Sequence, residues 1–306
     1  MPTSSPTPYV WDWSEEDPGD PEDEDDSTAG LDKLGNWNYW QYGVVGSLTT
    51  DDRGHNDVNE VTSRTCTNRQ APSWNDNGNL TCDGITNHQP FGSNTKLNYT
   101  YDYRNRLRGV YDDSGTPKTI AEYTYDALNR RVRKQTYDSE GADDADTWFL
   151  WSGWQCIEER DDPTDEDTVL RRYVYGATYV DDHVAMLVPS GASWTIYYTL
   201  QDRMQHVVAL ADSSGVVQER YDYDPYGKVH IYAEDGTTPR TASSYGNPYT
   251  YTGRYWDADA GLYYYRNRWY SADLGRGLQC DPRSPTGYGG YGGHGDGALR
   301  AYPNNL

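Results

Sequence analysis

Imidazole, thiol and carboxylate side chains are all present in this chain, and their spacings decide whether they do chemistry. His55, His88, His183, His206, His230 and His294 share no ligand spacing on any one predicted element, which points to surface or hydrogen-bonded rings and no metal site. Cys66, Cys82, Cys156 and Cys280 form no C-x-x-C pair. Unpaired thiols are the expected state, with a Cys66 to Cys82 bridge the alternative in an oxidising compartment. No G-x-S-x-G elbow is present, and the Gly-rich stretch near the end lacks the Lys of a phosphate loop. No cofactor is expected.

Asp and Asn instead recur in a turn pattern. Residues 31–35, 74–78, 101–105, 125–129 and 223–227 fit one five-residue template. Its second position is Asp32, Asn75, Asp102, Asp126 or Asp224, side chains that bond the backbone of a type I turn. Its fifth is Gly35, Gly78, Asn105, Asn129 or Gly227, the residues that best tolerate positive φ. A type I turn followed by a left-handed residue is a common three-residue hairpin loop, and the fixed φ of Pro225 suits its first central position. The residue after each turn (Asn36, Asn79, Arg106, Arg130, Lys228) is polar and tolerates an outward position.

The elements that carry these turns read as strands. Leu97, Tyr99, Tyr101 and Tyr103 alternate with Asn98, Thr100 and Asp102, so tyrosine is a packing residue, and Tyr123 with Tyr125, Tyr173 with Tyr175 and Tyr221 with Tyr223 repeat the pattern. Residues 148–160 and 169–180 read as longer strands on either side of an acidic loop, 161–167. No long amphipathic helix is evident, and the fold class is all-β. The densest stretch is 249–282, rich in Tyr and Trp and punctuated by Gly253, Gly261, Gly275 and Gly277.

Composition narrows the function classes. Among 306 residues there are 30 Tyr and 11 Trp but only 2 Phe, so the bulky layer is built of rings whose polar tips need partners. The net charge of −22, of which ten negative charges lie in the first thirty residues, argues against a nucleic-acid partner. No apolar run is long enough to span a membrane, and no signal peptide is visible at the start. The expected organisation is a disordered acidic leader at 1–30, β-hairpin repeats at 31–248, the aromatic tract at 249–283 and a loose Gly/Tyr-rich tail at 284–306.

The segments YTYDYRNRL, YTYDALNRR and YDYDPYGKV, followed by TGRYWDADAGLYYYRNRWYSADLGRGLQCDP, resemble the YD repeats and repeat-associated core of the RHS (rearrangement-hotspot) family. The resemblance covers roughly residues 31–282. It implies a bacterial protein, extracellular or at the cell surface, whose antiparallel β-hairpins form part of a curved, spiral shell. The implied partners are the remaining YD repeats and a C-terminal toxin or effector. It also implies half of an aspartyl autoprotease site: Asp281 matches one catalytic Asp and Arg268 the accompanying Arg. The second Asp, which the resemblance places about two dozen residues after the first, is absent, and Gly277 and Cys280 depart from the family pattern, so a turn-forming Asp281 and an inactive site are expected. A structural shell segment is the leading reading. A glycan-binding or adhesin surface and a truncated autoprotease are the alternatives.

Overall fold

A computed structural model describes residues 9–12, 39–44, 47–56, 60–66, 69–85, 96–113, 116–138, 141–165 and 168–280, with backbone alone for 9–12, 39–44 and 47–49. These residues fall into two compact units. One holds the described residues up to Tyr99 with 112–113, 116–117 and Cys280; the other holds Thr100–Tyr111 and Lys118–Gln279. The all-β expectation holds: among the described residues there is no α-helix, and Tyr251–Gly253 is a short 3-10 turn.

In the first unit β1 (Tyr9–Asp12), β2 (Tyr39–Val44), β3 (Ser47–His55) and β4 (Val61–Thr65) pair antiparallel in chain order. Residues 9–12, placed in the leader by composition, are thus a strand, with Tyr9 opposite Val44 and Asp12 opposite Gln41. The local reason is Tyr9-Val10-Trp11, β-favouring side chains within an otherwise acidic segment. On β3 the buried Asp51 is held by Arg53 (2.8 Å) and Arg64 (2.6 Å). Burial opposes its charge, but the two guanidiniums outweigh it and bring its pKa down to about 2. β5 (Ser73–Trp74), β6 (Leu80–Cys82) and the start of β7 (Leu97–Tyr101) complete this unit.

The second unit is a run of antiparallel strands in unbroken chain order. These are β8 (Leu107–Asp112), β9 (Thr119–Tyr125), β10 (Arg131–Tyr137), β11 (Asp143–Ser152), β12 (Gln155–Arg160), β13 (Val169–Tyr175), β14 (His183–Ser190), β15 (Ser193–Gln201), β16 (Val207–Ala211), β17 (Val217–Tyr223), β18 (Val229–Ala233) and β19 (Pro239–Arg240). A separate antiparallel sheet, β20 (Tyr255–Asp257), β21 (Leu262–Tyr264), β22 (Trp269–Ser271) and β23 (Arg276–Gly277), is formed by the aromatic tract. Residues 148–160, read from sequence as one strand, are the end of β11 and all of β12: Gly153 adopts φ 59° and turns the chain between them.

Local chemistry explains the hairpins. Asp126 Oδ1 accepts from the N–H groups of Leu128 and Arg130, and its own N–H donates to Arg130 O, while Asn129 takes φ 66°. Asp102 repeats these bonds with Arg104 and Arg106, and Asn105 takes φ 59°. Asn75 does the same for Asn77 and Asn79, with Gly78 at φ 70°. At 224–227 the N–H of Gly227 donates to Asp224 O and Gly227 takes φ 92°, with Pro225 between them. A further copy at 202–205 was not read from sequence because Gln205, at φ 65°, stands where Gly or Asn is usual. The copy containing Asp32 and Gly35 lies outside the described residues.

Two side-chain readings change. Arg106 and Arg130 do not reach outward but fold back onto the turn Asp, each Nε donating at 2.7 Å, and Asn79 is fully buried. Tyr103, assigned to an inward face, lies in the turn beyond the end of β7 and is 86% exposed.

The tyrosine that ends β9, β13 or β17 has its own task. The Tyr125 hydroxyl donates to Leu107 O (2.8 Å), Tyr175 to Cys156 O (2.8 Å) and Tyr223 to Val207 O (2.6 Å), each time to a carbonyl on the preceding strand. Each ring is half-buried and its polar tip is satisfied by backbone, which is why tyrosine rather than phenylalanine fills this position.

Candidate functional site

The feature with the most concentrated chemistry is the face of the second unit where the aromatic tract lies on the hairpin strands. Apolar packing supplies its base. Tyr249 packs with Tyr173, Met186, Val207, Leu210, Tyr221 and Ile231, and Trp269 lies 4.6 Å from Tyr123 with its indole N–H donating to the Tyr125 hydroxyl (3.0 Å). Tyr263 donates to Gly227 O and Tyr270 to Tyr226 O, so the tract also grips the turn at 224–227.

Buried ion pairs fix the position of the tract. Asp257, at the end of β20 and fully buried, accepts from Arg131 Nη1 (3.0 Å), Lys134 Nζ (2.6 Å) and the Tyr123 hydroxyl (3.2 Å). Lys134 also reaches Asp259 (2.6 Å). Burial would raise the Asp257 carboxyl, but Lys134 and Arg131 outweigh it and hold it below its ordinary value. Burial likewise opposes the charge of Arg131, and Tyr255 and Asp257 outweigh it, so the guanidinium stays charged. The rings of Phe149 and Tyr255 lie 4.1 and 4.2 Å from its centre, and their quadrupoles replace part of the lost hydration.

A second anchor is Asp181, 3% exposed, which pairs with Arg254 (3.2 Å) and Arg266 of the tract. Arg266 Nε also donates to Trp154 O (3.2 Å). Around the turn Tyr251–Gly253, His183 Nε2 lies 3.0 Å from Gly253 O, and His206 Nδ1 accepts the Thr252 N–H (2.9 Å) while its ring stacks on Tyr251. Burial lowers the His183 pKa to about 4 and moves that of His206 in the same direction. Thr252 and Gly253 both adopt positive φ, at 52° and 66°. Further along the sheet, buried Glu159 accepts from Arg171 (2.6 Å) and the Tyr173 hydroxyl (2.7 Å), and buried Glu219 from Arg240 (2.9 Å), Ser243 (2.6 Å) and Tyr221.

These carboxylates are each paired with arginine or lysine and shielded from solvent, an arrangement that suits anchoring. Arg268, which the resemblance marks, lies in the bend before β22; its carbonyl accepts the Tyr265 N–H (2.9 Å). Asp281 lies outside the described residues, as does the tail beyond it. Of the remaining turn residues, Gly78 lies at a hairpin loop of the first unit and Asp102, Asn105, Asp126, Asn129, Asp224, Pro225 and Gly227 at hairpin loops of the second. Sequence reasoning missed Arg131, Lys134, Asp181, Arg254 and Asp257. One signal was available: Arg131 occupies the position after a turn that Leu80 and Leu107 hold in other copies, and those leucines are fully buried.

No family model matches the chain. It is 26% identical over 237 residues to the tRNA3(Ser)-specific nuclease WapA of Bacillus spizizenii, covering 78% of this chain and 9% of that protein. It is 27% identical over 208 residues to the double-stranded DNA deaminase toxin A of Burkholderia cenocepacia, covering 62% of this chain and 14% of that protein. Among solved structures, the crystal structure of TcdB2-TccC3 is similar over 81% of this chain and 17% of that one, with 14% identity and a TM-score of 0.32. Most of this chain therefore corresponds to a small part of each bacterial relative.

Proposed function

We propose that this chain is a structural β-wall segment of an RHS-type, YD-repeat polymorphic toxin or cell-surface protein, of the kind that encloses a C-terminal effector. In this reading the 249–279 tract is a clamp that ties successive hairpins together. The observation that carries it is the Asp257 anchor with Arg131 and Lys134, which commits buried charges to holding the tract on β10. Similarity to parts of a nuclease and a deaminase toxin supports the toxin context. The tyrosines Tyr99, Tyr123, Tyr173 and Tyr221 are buried, which favours packing over the stacking of a glycan on these rings.

The wall reading expects the purified chain to be inert. Incubation over days with tRNA and double-stranded DNA should leave both unchanged, and intact mass spectrometry should show a constant mass. Nucleic-acid processing, or a discrete C-terminal loss abolished by Asp281→Ala, would overturn it and return the protein to the enzymes.

A further inference from the structure

The turn Tyr251–Gly253 is held against β16 through its backbone. The N–H of Val207 donates to Thr250 O (3.1 Å), and the N–H of Thr252 donates to Nδ1 of His206 (2.9 Å). The second bond fixes the state of that ring. An imidazole nitrogen accepts only through its lone pair, so Nδ1 is unprotonated, the ring is neutral and its proton sits on Nε2. The ring also stacks on Tyr251, with centroids 4.5 Å apart and planes 12° from parallel. What it holds is strained: Thr252, 2% exposed, is a β-branched residue at φ 52°, a conformation that persists only when its surroundings impose it. His183 Nε2 meets the same turn at Gly253 O (3.0 Å). A carbonyl oxygen only accepts, so His183 donates there, and a second proton on its ring leaves that bond in place. The two histidines therefore answer acid differently.

We propose that His206 is an acid-opened latch: the neutral ring holds the turn Tyr251–Gly253 on β16, and a proton on Nδ1 frees it. That proton would set one N–H against another and leave the buried Thr252 amide without its acceptor. Flipping the ring does not restore the bond, because the flip presents Cδ2–H in place of Nδ1. The titratable groups around the ring are Asp202 of its own turn, whose charge favours the proton, and Tyr223 of β17 (5.3 Å) and Tyr251, both raised by burial and neutral in acid. Burial outweighs Asp202 and lowers the His206 pKa, so the latch is closed at neutral pH and opens as the pH falls below the ordinary histidine value of about 6.5. His206 is half-buried, so a proton reaches it without unfolding of the sheet. Asp257 is held below the usual carboxylate range, so the anchor on β10 stays charged in the same window and release is confined to the turn.

The test is amide exchange of the full chain, followed residue by residue by NMR between about pH 7.5 and 5 and corrected for the intrinsic pH dependence of exchange. Protection at Thr252 should fall by up to about tenfold per pH unit, because release takes up one proton, while the β20 amides keep theirs. His206→Asn places Oδ1 near the position of Nδ1 and does not titrate, so protection should be kept and its pH dependence lost. His206→Phe keeps a ring against Tyr251 but has no acceptor, and protection at Thr252 should be low at every pH. If neither variant folds, the ring of the unaltered chain decides: the nitrogen chemical shift of His206 Nδ1 should be that of an unprotonated nitrogen at neutral pH and change in step with Thr252 protection. Protection at Thr252 that ignores pH, a pH dependence that survives in His206→Asn, full protection in His206→Phe, a loss that spreads equally to β20, or a protonated Nδ1 at neutral pH overturns the proposal.

Discussion

Asp257→Asn is the substitution that tests the anchor most directly. The amide preserves the shape of the carboxylate but removes its charge, leaving Arg131, whose side chain is 1% exposed, without a carboxylate partner. Lys134 keeps Asp259, itself about half exposed, so the loss falls mainly on Arg131. Removing one partner of a buried pair costs about 3–5 kcal/mol because the other charge stays buried and uncompensated. Against a total stability of about 5–15 kcal/mol, that is a large fraction. The control lies on the same strand: Arg133 pairs with Asp146 at 2.7 Å, but both side chains are 30% exposed, and Asp146→Asn should cost about 1 kcal/mol or less. Equilibrium unfolding in urea, followed by tryptophan fluorescence, gives both numbers. Hydrogen exchange should also show the amides of β20 and β21 losing protection before those of β14 to β16. Equal losses for the two variants would refute the claim that buried charge holds the tract in place.

Two further outcomes follow from turns and histidines. His183 is neutral when folded, its pKa lowered by burial to about 4, so on acidification the unfolded chain takes up a proton first. This group's stabilisation is therefore complete above about pH 6.5 and lost towards pH 4, by up to about 3 kcal/mol. Asp181, Arg254, Arg266, Tyr175 and Tyr249 face the same ring; His183→Gln should flatten stability across that pH window, and an unchanged slope would assign the loss to other groups. At Asn129, Ala and Gly both lose the bond from Arg106, so their difference isolates the backbone: urea midpoints should place Ala about 1–2 kcal/mol below Gly, and equality would mean that the turn relaxes.

The all-β antiparallel fold was legible because its causes are local. An Asp that bonds the N–H groups two and four residues on, followed by a residue that accepts positive φ, ends one strand and starts the next without help from the rest of the molecule. Breaks that depend on a single glycine, such as Gly153 between β11 and β12, were not separable from one continuous strand. The anchor was harder still, because its partners, Arg131 and Asp257, are 126 residues apart and pair only once the tract lies on the sheet.

Half of that pairing could nonetheless be derived. Counting from each turn, the sixth position is the one that meets the turn, as Arg106 and Arg130 do through Asp102 and Asp126. Strand alternation then sends the seventh to the opposite face. There the copies place Leu80, Leu107 and Val207, all fully buried, and at the same position in one copy stands Arg131. The two arginines of Asn129-Arg130-Arg131 look alike in sequence but face opposite ways, one closing a turn and the other entering the core. An arginine at a leucine position requires a buried acceptor. That acceptor must come from outside the hairpins' own pattern, which leaves the Asp-rich start of the aromatic tract, and Asp257 is the residue that strand β20 delivers there.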